Sequence, residues 1–230
     1  MAVSHRHCII VGIHMAQTLI TRYQQAWHEP GFIASACAGS LALAGAIWVN
    51  FWAIKQATAK AGVAVEDIIL SNIPMFNVDD LFVYGTFIVM TISAAVIFCY
   101  PKRIPFALKA LALFIVTRSL FTLMTHLGPP EAAYATDLGE TIVRSFFGAD
   151  QFFSAHTGMP FLGALALWYA DRRAALFFLT SSVFFAAIVL LGHIHYTIDV
   201  FSAFFITYGI LHIAQLLLPH DWELFKSARV

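Results

Sequence analysis

Charge is what this sequence has least of. Of its 230 residues, 13 are Lys or Arg and 13 are Asp or Glu, 11% together. An ordinary soluble domain carries roughly 25%. Charged groups must cover the exterior of a soluble protein, so the shortage excludes a soluble globule. The two signs cancel to a formal net charge of +0, which leaves no polyanion-binding footprint and makes nucleic acid an unexpected partner. Cysteine is also scarce. Cys8, Cys37 and Cys99 are far apart and odd in number, which excludes a disulfide scaffold and a zinc cluster. Cys37 and Cys99 lie inside apolar runs and read as small buried hydrophobes. What the sequence has in excess is apolar surface: 60% hydrophobic residues and 15% aromatic, with 22 Phe. A disordered chain is therefore excluded too, and a multi-pass membrane protein is expected.

A spanning helix needs about 20 mostly apolar residues. Six segments qualify: Gly31–Ile54, Leu81–Tyr100, Ile104–Thr125, Phe152–Tyr169, Ala174–Gly192 and Thr197–Leu218. The expected fold is an all-α membrane bundle of six spans. Residues 1–30 form an interfacial amphipathic helix, 31–220 the membrane domain and 221–230 a tail. In the first segment the apolar stretch Cys8–Ile13 is short and no small-residue cleavage site follows it, so a secretory signal is not expected. Ile9, Ile10, Ile13, Leu19, Ile20 and Trp27 share one side of a helix that lies on the membrane.

The positive residues fall unevenly. Arg6, Arg22, Lys102, Arg103, Lys109, Arg172, Arg173, Lys226 and Arg229 lie on the side of the termini. Only Lys55, Lys60 and Arg144 lie opposite. The side of the termini is thus read as cytoplasmic. The costly polar residues gather at the other face: His156, His195, Asp199, Arg118 and His126, with Asp79, Asp80, Asp150, Glu131, Asp137 and Glu140 in or near its loops. Ionisable residues in membrane spans are functional candidates, because burying them unpaired is costly.

Two patterns carry chemistry. In His195-Tyr196-Thr197-Ile198-Asp199, the His and Asp are four apart and share one face of a helix. Asp199 accepts the proton of one ring nitrogen and leaves the other as nucleophile or base. In Phe152-Phe153-Ser154-Ala155-His156-Thr157-Gly158, Ser154 is a natural N-cap. The helix start it creates suits a phosphate, with His156 beside it. Arg118 adds a guanidinium fork. Together these residues fit phosphoryl transfer without metal or cofactor. His195 attacks phosphorus, His156 protonates the leaving oxygen, and Arg118 with the helix start holds the remaining oxygens.

Other residues have blander readings. His212 and His220 are expected to be interhelix contacts. His126, two turns from Arg118, lines the pocket or serves the same structural purpose. His193 is two residues from His195 and cannot share its direction on a regular helix. It supports the site or meets the head group. His193, His195, Asp199 and His156 are ligand-type side chains, but a His-x-His pair suits a strand better than a helix, and no metal is expected. Asp79, Asp80, Asp150 and Glu140 can meet an ammonium head group, while Glu131 and Asp137 read as solvated loop acids. A proton-relay transporter is the rival class. It should place polar groups at the midplane and on both sides, and here they gather on one.

Ser154-Ala155-His156-Thr157 and His193-Ile194-His195-Tyr196-Thr197-Ile198-Asp199-Val200 resemble the two signature motifs of the sphingomyelin synthase family, a branch of the type-2 phosphatidic acid phosphatase superfamily. Asp150, six residues before His156, matches the same pattern. The stretch from Arg118 to Pro130 resembles a third motif, and Ile73-Pro74 to Asp80 a weak form of the first. The resemblance covers about Asn72 to Tyr208. It implies a transferase that moves phosphocholine or phosphoethanolamine from a glycerophospholipid to ceramide or a related lipid alcohol and releases diacylglycerol. The implied catalytic set is His156, His195 and Asp199; beside it, Arg118, Ser154, Asp150, His126 and His193 are read as substrate- or phosphate-binding residues. Ala155 stands where the family usually has Gly. The Lys…Arg-Pro motif of the superfamily's ordinary phosphatases is missing, and Ile188, Val189 and Leu190 stand before His195 with no Arg. The last two features favour the synthase branch. A lipid phosphatase or phospholipase C-like hydrolase, with water as acceptor, shares the same site. A homo-oligomer is compatible with the sequence, and a bacterial inner membrane is the expected location, with the site on the extracytoplasmic face.

Overall fold

The computed structural model describes residues 17–125, 127–130 and 152–229. Residues 17–27 are helical (α1). They are followed by α2 (Phe32–Ala59), α3 (Asp79–Phe98), α4 (Ile104–Met124), α5 (Ala155–Leu167), α6 (Arg172–Leu191), α7 (Thr197–Leu217) and α8 (Pro219–Ser227). Among the described residues there is no strand. An all-α membrane protein is what the long continuous apolar runs call for, because a helix satisfies its own backbone hydrogen bonds in hydrocarbon. Of the expected N-terminal amphipathic segment, residues 1–16 lie outside the described part.

Among the described residues five helices are long and apolar enough to cross a membrane: Phe32–Ala59, Asp79–Phe98, Pro101–Met124, Arg172–Leu191 and Thr197–Leu217. Six full spans are not confirmed at the fourth segment. There the helix has 13 residues, or about 20 Å at 1.5 Å per residue, against a hydrocarbon core of about 30 Å. Its ends explain the shortness. Ser154 caps it at one end, its side chain accepting the Thr157 N–H. At the other end Asp171 caps α6 through the Ala174 N–H, 3.1 Å away. Apolarity told of burial in the membrane and not of helix length.

The short helix places its own N-terminus deep against α6. The Ser182 hydroxyl of α6 donates to the Thr157 carbonyl at 2.7 Å, and the Phe185 ring lies 5.9 Å from the His156 ring. The start of α5 thus sits beside residues 182–185 of α6. The six residues of α6 beyond it, up to Leu191, run on for about 9 Å. Gly158 makes close packing possible there. A Cβ on it would lie 2.8 Å from Phe114 of α4 and 2.9 Å from Thr207 of α7.

α2 packs mainly on α4, and α5 packs on α6 and α7. One apolar core includes Phe106, Phe114, Phe153, Leu162, Phe178 and Trp222. A second, of Val78, Phe82, Phe185, Ile188, Val189 and Val200, joins α3, α6 and α7 beside α5's start. Many large side chains face outward, such as Trp48, Phe205 and Leu216, as lipid contact requires. Cys37 is among the exposed residues and Cys99 is half-exposed, which corrects their reading as buried hydrophobes: α2's outer face meets lipid instead of protein. At the end of the bundle away from α5's start, the Lys109 ammonium bonds Asp221 and the Ser35 hydroxyl, each at 2.7 Å. Arg103 is fully buried and donates to the carbonyls of Val96 and Ala228.

The segment between α2 and α3 is clasped to the start of α7. Asp67 Oδ2 accepts the Thr197 N–H at 2.7 Å, and Oδ1 accepts the Thr197 hydroxyl at 2.6 Å. Partial burial works against the Asp67 carboxylate. The hydrogen bonds from Thr197, Leu70 and Ile69 outweigh it, and its pKa is lowered. A depressed carboxylate contributes stability above its unfolded pKa and loses it as pH falls through the folded value. The stability gap between wild type and Asp67→Asn should therefore be full at neutral pH and close in acid, below the ordinary Asp value. Thermal melts across that pH range check this; a gap that stays constant into acid would show that the charge on Asp67 has no part in the clasp.

Candidate active site

The sequence pattern suggested that His195 and Asp199 share a helix face. The structure brings them together differently. α7 begins at Thr197 with Tyr196 as its N-cap, so His195 lies just outside the helix. Asp199, in the first turn, reaches back to accept the Tyr196 N–H at 3.0 Å. The same oxygen lies 3.4 Å from His195 Nδ1. That contact is long for a charge-assisted bond, normally about 2.7–2.9 Å; catalytic hydrogen bonds are often long without substrate and tighten on binding. A carboxylate only accepts, so Nδ1 carries the proton and Nε2 keeps its lone pair. Both side chains are buried, with Asp199 0% exposed. The second Asp199 oxygen, Oδ1, has no hydrogen-bond partner among the described residues.

His156 stands in the first turn of α5 behind the Ser154 cap. Its ring packs on Phe82 of α3 at 4.3 Å between centroids. It also lies within electrostatic reach of His195 and Arg118. The backbones of the two motifs are joined directly: the Ser154 N–H donates to the Asp199 carbonyl at 3.1 Å. Pro160 lies inside α5 and has no N–H to give the His156 carbonyl.

Arg118 is buried in α4, and its Nε donates to the Phe153 carbonyl at 2.7 Å. The Thr122 hydroxyl, one turn later, donates to the Phe152 carbonyl at 3.2 Å. α4 thereby fixes the turn that leads into Ser154. The guanidinium read from the sequence as a phosphate fork is also an anchor for this turn.

His193 owes its place to the end of α6. Its N–H bonds the Leu190 carbonyl at 3.1 Å, and the Ile194 N–H bonds Val189 at 2.8 Å. This is a Schellman ending, whose closing residue must be left-handed. His193 takes that conformation at φ 50, where glycine is usual. A non-glycine residue pays about 1–2 kcal/mol there. The chain reverses at His193, so two histidines two apart need not diverge as they would on a helix. Its ring is buried, and Nε2 has no hydrogen-bond partner among the described residues. His193→Gly should therefore raise stability by about 1 kcal/mol, while His193→Ala keeps the strain. Melting curves of the two variants decide it; a glycine variant no more stable than the alanine one would refute the strain.

Two expected site residues, His126 and Asp150, lie outside the described residues, as do Glu131, Asp137 and Glu140. Among the described residues His212 is exposed and bonds within α7's own turn, to the Tyr208 carbonyl, which corrects its expected interhelix contact. Among the described residues no group of three or more His, Cys, Asp or Glu is arranged to hold a metal ion. Sequence reading missed three contributors. Tyr196 donates its hydroxyl to the Gly128 carbonyl at 2.9 Å and accepts the Val65 N–H at 3.2 Å. Phe82 supports His156, and Asp67 holds Thr197. Asp67 had a local signal, an acid two and three residues before amides that it caps, but no pattern in the chain shows its reach to residue 197.

A family model described as PAP2 superfamily C-terminal matches residues 148–216. The matched stretch holds α5, α6 and nearly all of α7, with His156, His193, His195 and Asp199. The match supports the type-2 phosphatidic acid phosphatase superfamily and, with it, phosphatase- or phosphotransferase-type lipid chemistry in general. It does not single out the sphingomyelin synthase branch. No curated protein and no solved structure matches the chain.

Proposed function

We propose that this protein transfers a phospho-head-group between membrane lipids through a phosphohistidine on His195. One observation carries the reading. A backbone bond from Ser154 to Asp199 holds the two motifs together, and there His195 and Arg118 each lie within electrostatic reach of His156. Two imidazoles, a carboxylate and a guanidinium are what phosphoryl transfer requires: nucleophile, acid–base group, tautomer lock and charge neutralisation.

In this cycle, His195 Nε2 attacks the phosphorus of a glycerophospholipid. The P–O bond to diacylglycerol breaks, and His156 gives its proton to the departing oxygen. The head group is now held through an N–P bond. An acceptor hydroxyl loses its proton to His156 and attacks phosphorus, and the N–P bond breaks, returning His195. Asp199 holds Nδ1–H throughout and stabilises the positive charge on the ring. Arg118 and the amides at α5's start balance the phosphate, with His193, His126 and Asp150 completing the head-group side. The cycle needs no metal or cofactor.

The acceptor in this reading is ceramide or a related lipid alcohol. The missing Lys…Arg-Pro motif and the apolar Ile188-Val189-Leu190 lead-in support it over water. The superfamily match supports the hydrolase equally well. The distribution of positive residues supports an extracytoplasmic site; a bacterial inner membrane is the location in this reading.

The test is purified protein with labelled phosphatidylcholine or phosphatidylethanolamine, with and without ceramide and with EDTA. A phosphosphingolipid that requires ceramide and survives EDTA is expected. Diacylglycerol and free phospho-head-group formed regardless of ceramide would make the protein a hydrolase. Folded protein that yields neither product would sink both readings and return the proton relay to consideration.

A further inference from the structure

Four hydrogen bonds converge on one carboxylate that the transfer cycle does not use. Asp67 Oδ1 accepts the N–H groups of Ile69 and Leu70 at 3.0 and 3.1 Å and the Thr197 hydroxyl at 2.6 Å. Oδ2 accepts the Thr197 N–H at 2.7 Å. Its own turn thus fixes Asp67 in place, and from there it holds a residue 130 positions away. Thr197 is the first residue of α7, lying between His195 and Asp199. The first amides of a helix have no partner within it. Here Asp199 takes the Tyr196 amide and Asp67 takes the next.

The same segment grips both sides of His195. Before it, the Phe76 N–H donates to the Leu191 carbonyl at 2.9 Å, and Val78 packs against Gly192, leaving no room for a Cβ there. After it, the Val65 N–H donates to the Tyr196 hydroxyl. His195 lies in neither α6 nor α7, so regular helical bonding does not fix its backbone. Its own N–H reaches back to the Val189 carbonyl at 3.3 Å; beyond that its position depends on these clasps, whose shortest bonds are at Thr197.

We infer that Asp67 is a positioning residue for His195: it pins Thr197 and so holds the imidazole in line with the phosphate site at α5's start. This rests on the reading of His195 as nucleophile. Loss of the clasp lets His195 drift while leaving the bundle's cores in place, since Asp67 belongs to neither. A misplacement of about 1 Å can cost roughly 100-fold in rate.

The test uses the full chain in detergent and two readouts. The first is affinity for orthovanadate, which takes the trigonal bipyramidal geometry of phosphoryl transfer and reports alignment, since transition-state analogues bind in proportion to it. The second is the NMR signal of the His195 ring in protein with labelled histidine, assigned by its disappearance in His195→Ala. Asp67→Ala should weaken vanadate roughly 100-fold and Asp67→Asn roughly 10-fold, with inorganic phosphate affinity nearly unchanged. The His195 signal should shift or broaden in both. Thr197→Val, which removes only the hydroxyl donor, should weaken vanadate a few-fold and add nothing on top of Asp67→Ala. This milder variant keeps the test decisive if Asp67→Ala fails to fold.

Equal vanadate affinity in wild type and the Asp67 variants, an additive double variant, or an unmoved His195 signal would each overturn the inference. If wild type binds no vanadate, or His195→Ala binds it as well, the nucleophile reading fails instead. The ring signal then still decides whether Asp67 positions His195.

Discussion

His195→Ala is expected to lower turnover by about 10⁴-fold or more, because no other group in the site replaces a covalent nucleophile. Wild-type enzyme given phosphatidylcholine labelled in its choline and quenched in denaturant should carry the label on the protein. The label should be lost in acid and kept in alkali, as an N–P bond requires. His195→Ala should carry none. Asp199→Asn belongs to the same expectation. Asp199 Oδ2 takes the Tyr196 N–H and lies beside His195 Nδ1. An amide nitrogen in its place would drive the imidazole toward the wrong tautomer, at a cost of roughly 10³–10⁴-fold. Turnover within tenfold of wild type in His195→Ala would remove the phosphohistidine from the mechanism.

His156→Ala is expected to slow transfer by about 10²–10⁴-fold, the usual contribution of a general acid or base. The informative quantity is how that loss depends on the leaving group. Diacylglycerol must be protonated as it departs; a nitrophenol need not be. With a nitrophenyl phosphocholine donor, His156→Ala should release its first nitrophenol at close to the wild-type rate. It should then turn over slowly, because the acceptor hydroxyl still lacks its base. Wild type should show no such burst. Equal defects on both donors in the first turnover would mean that His156 holds the phosphate or the fold and is not the acid. The packing of its ring against Phe82 and Phe185 makes a structural contribution real, so His156→Gln serves as the companion variant that keeps more of the volume.

The class of the fold was legible because it follows from arithmetic. Too few charges and too many Phe leave a membrane as the solvent, and in that solvent continuous apolar runs of about 20 residues satisfy their backbone as helices. Five of six segments became long helices for that reason. The fourth did not, because hydropathy measures where a residue is buried and says nothing of what ends a helix. Ser154 was legible as a cap, since capping is local. The depth it imposes, about 9 Å below α6's end, was not.

The site divides along the same line. His195, Asp199, Ser154 and His156 could be read because each pair sits within a few residues, where chain geometry decides what meets what. Even so, the His195–Asp199 contact arises from capping across a helix boundary and not from a shared helix face. Arg118 could be read as a charge beside the site, but its bond to Phe153 spans 35 residues. His193 could be read as a histidine with no partner on a helix, and only the chain reversal at φ 50 gives it a direction.

The sequence by itself determined the solvent, the helices and the chemistry carried by two short motifs, because composition and local spacing act through near neighbours along the chain. The tertiary structure alone decided that the motifs share one backbone bond from Ser154 to Asp199, and that α4 anchors the turn before them. It also brought Asp67 across 130 positions to hold the start of α7. Such contacts form where helices pack, and a hydrogen bond between distant segments leaves no period or spacing in the chain by which to foresee it.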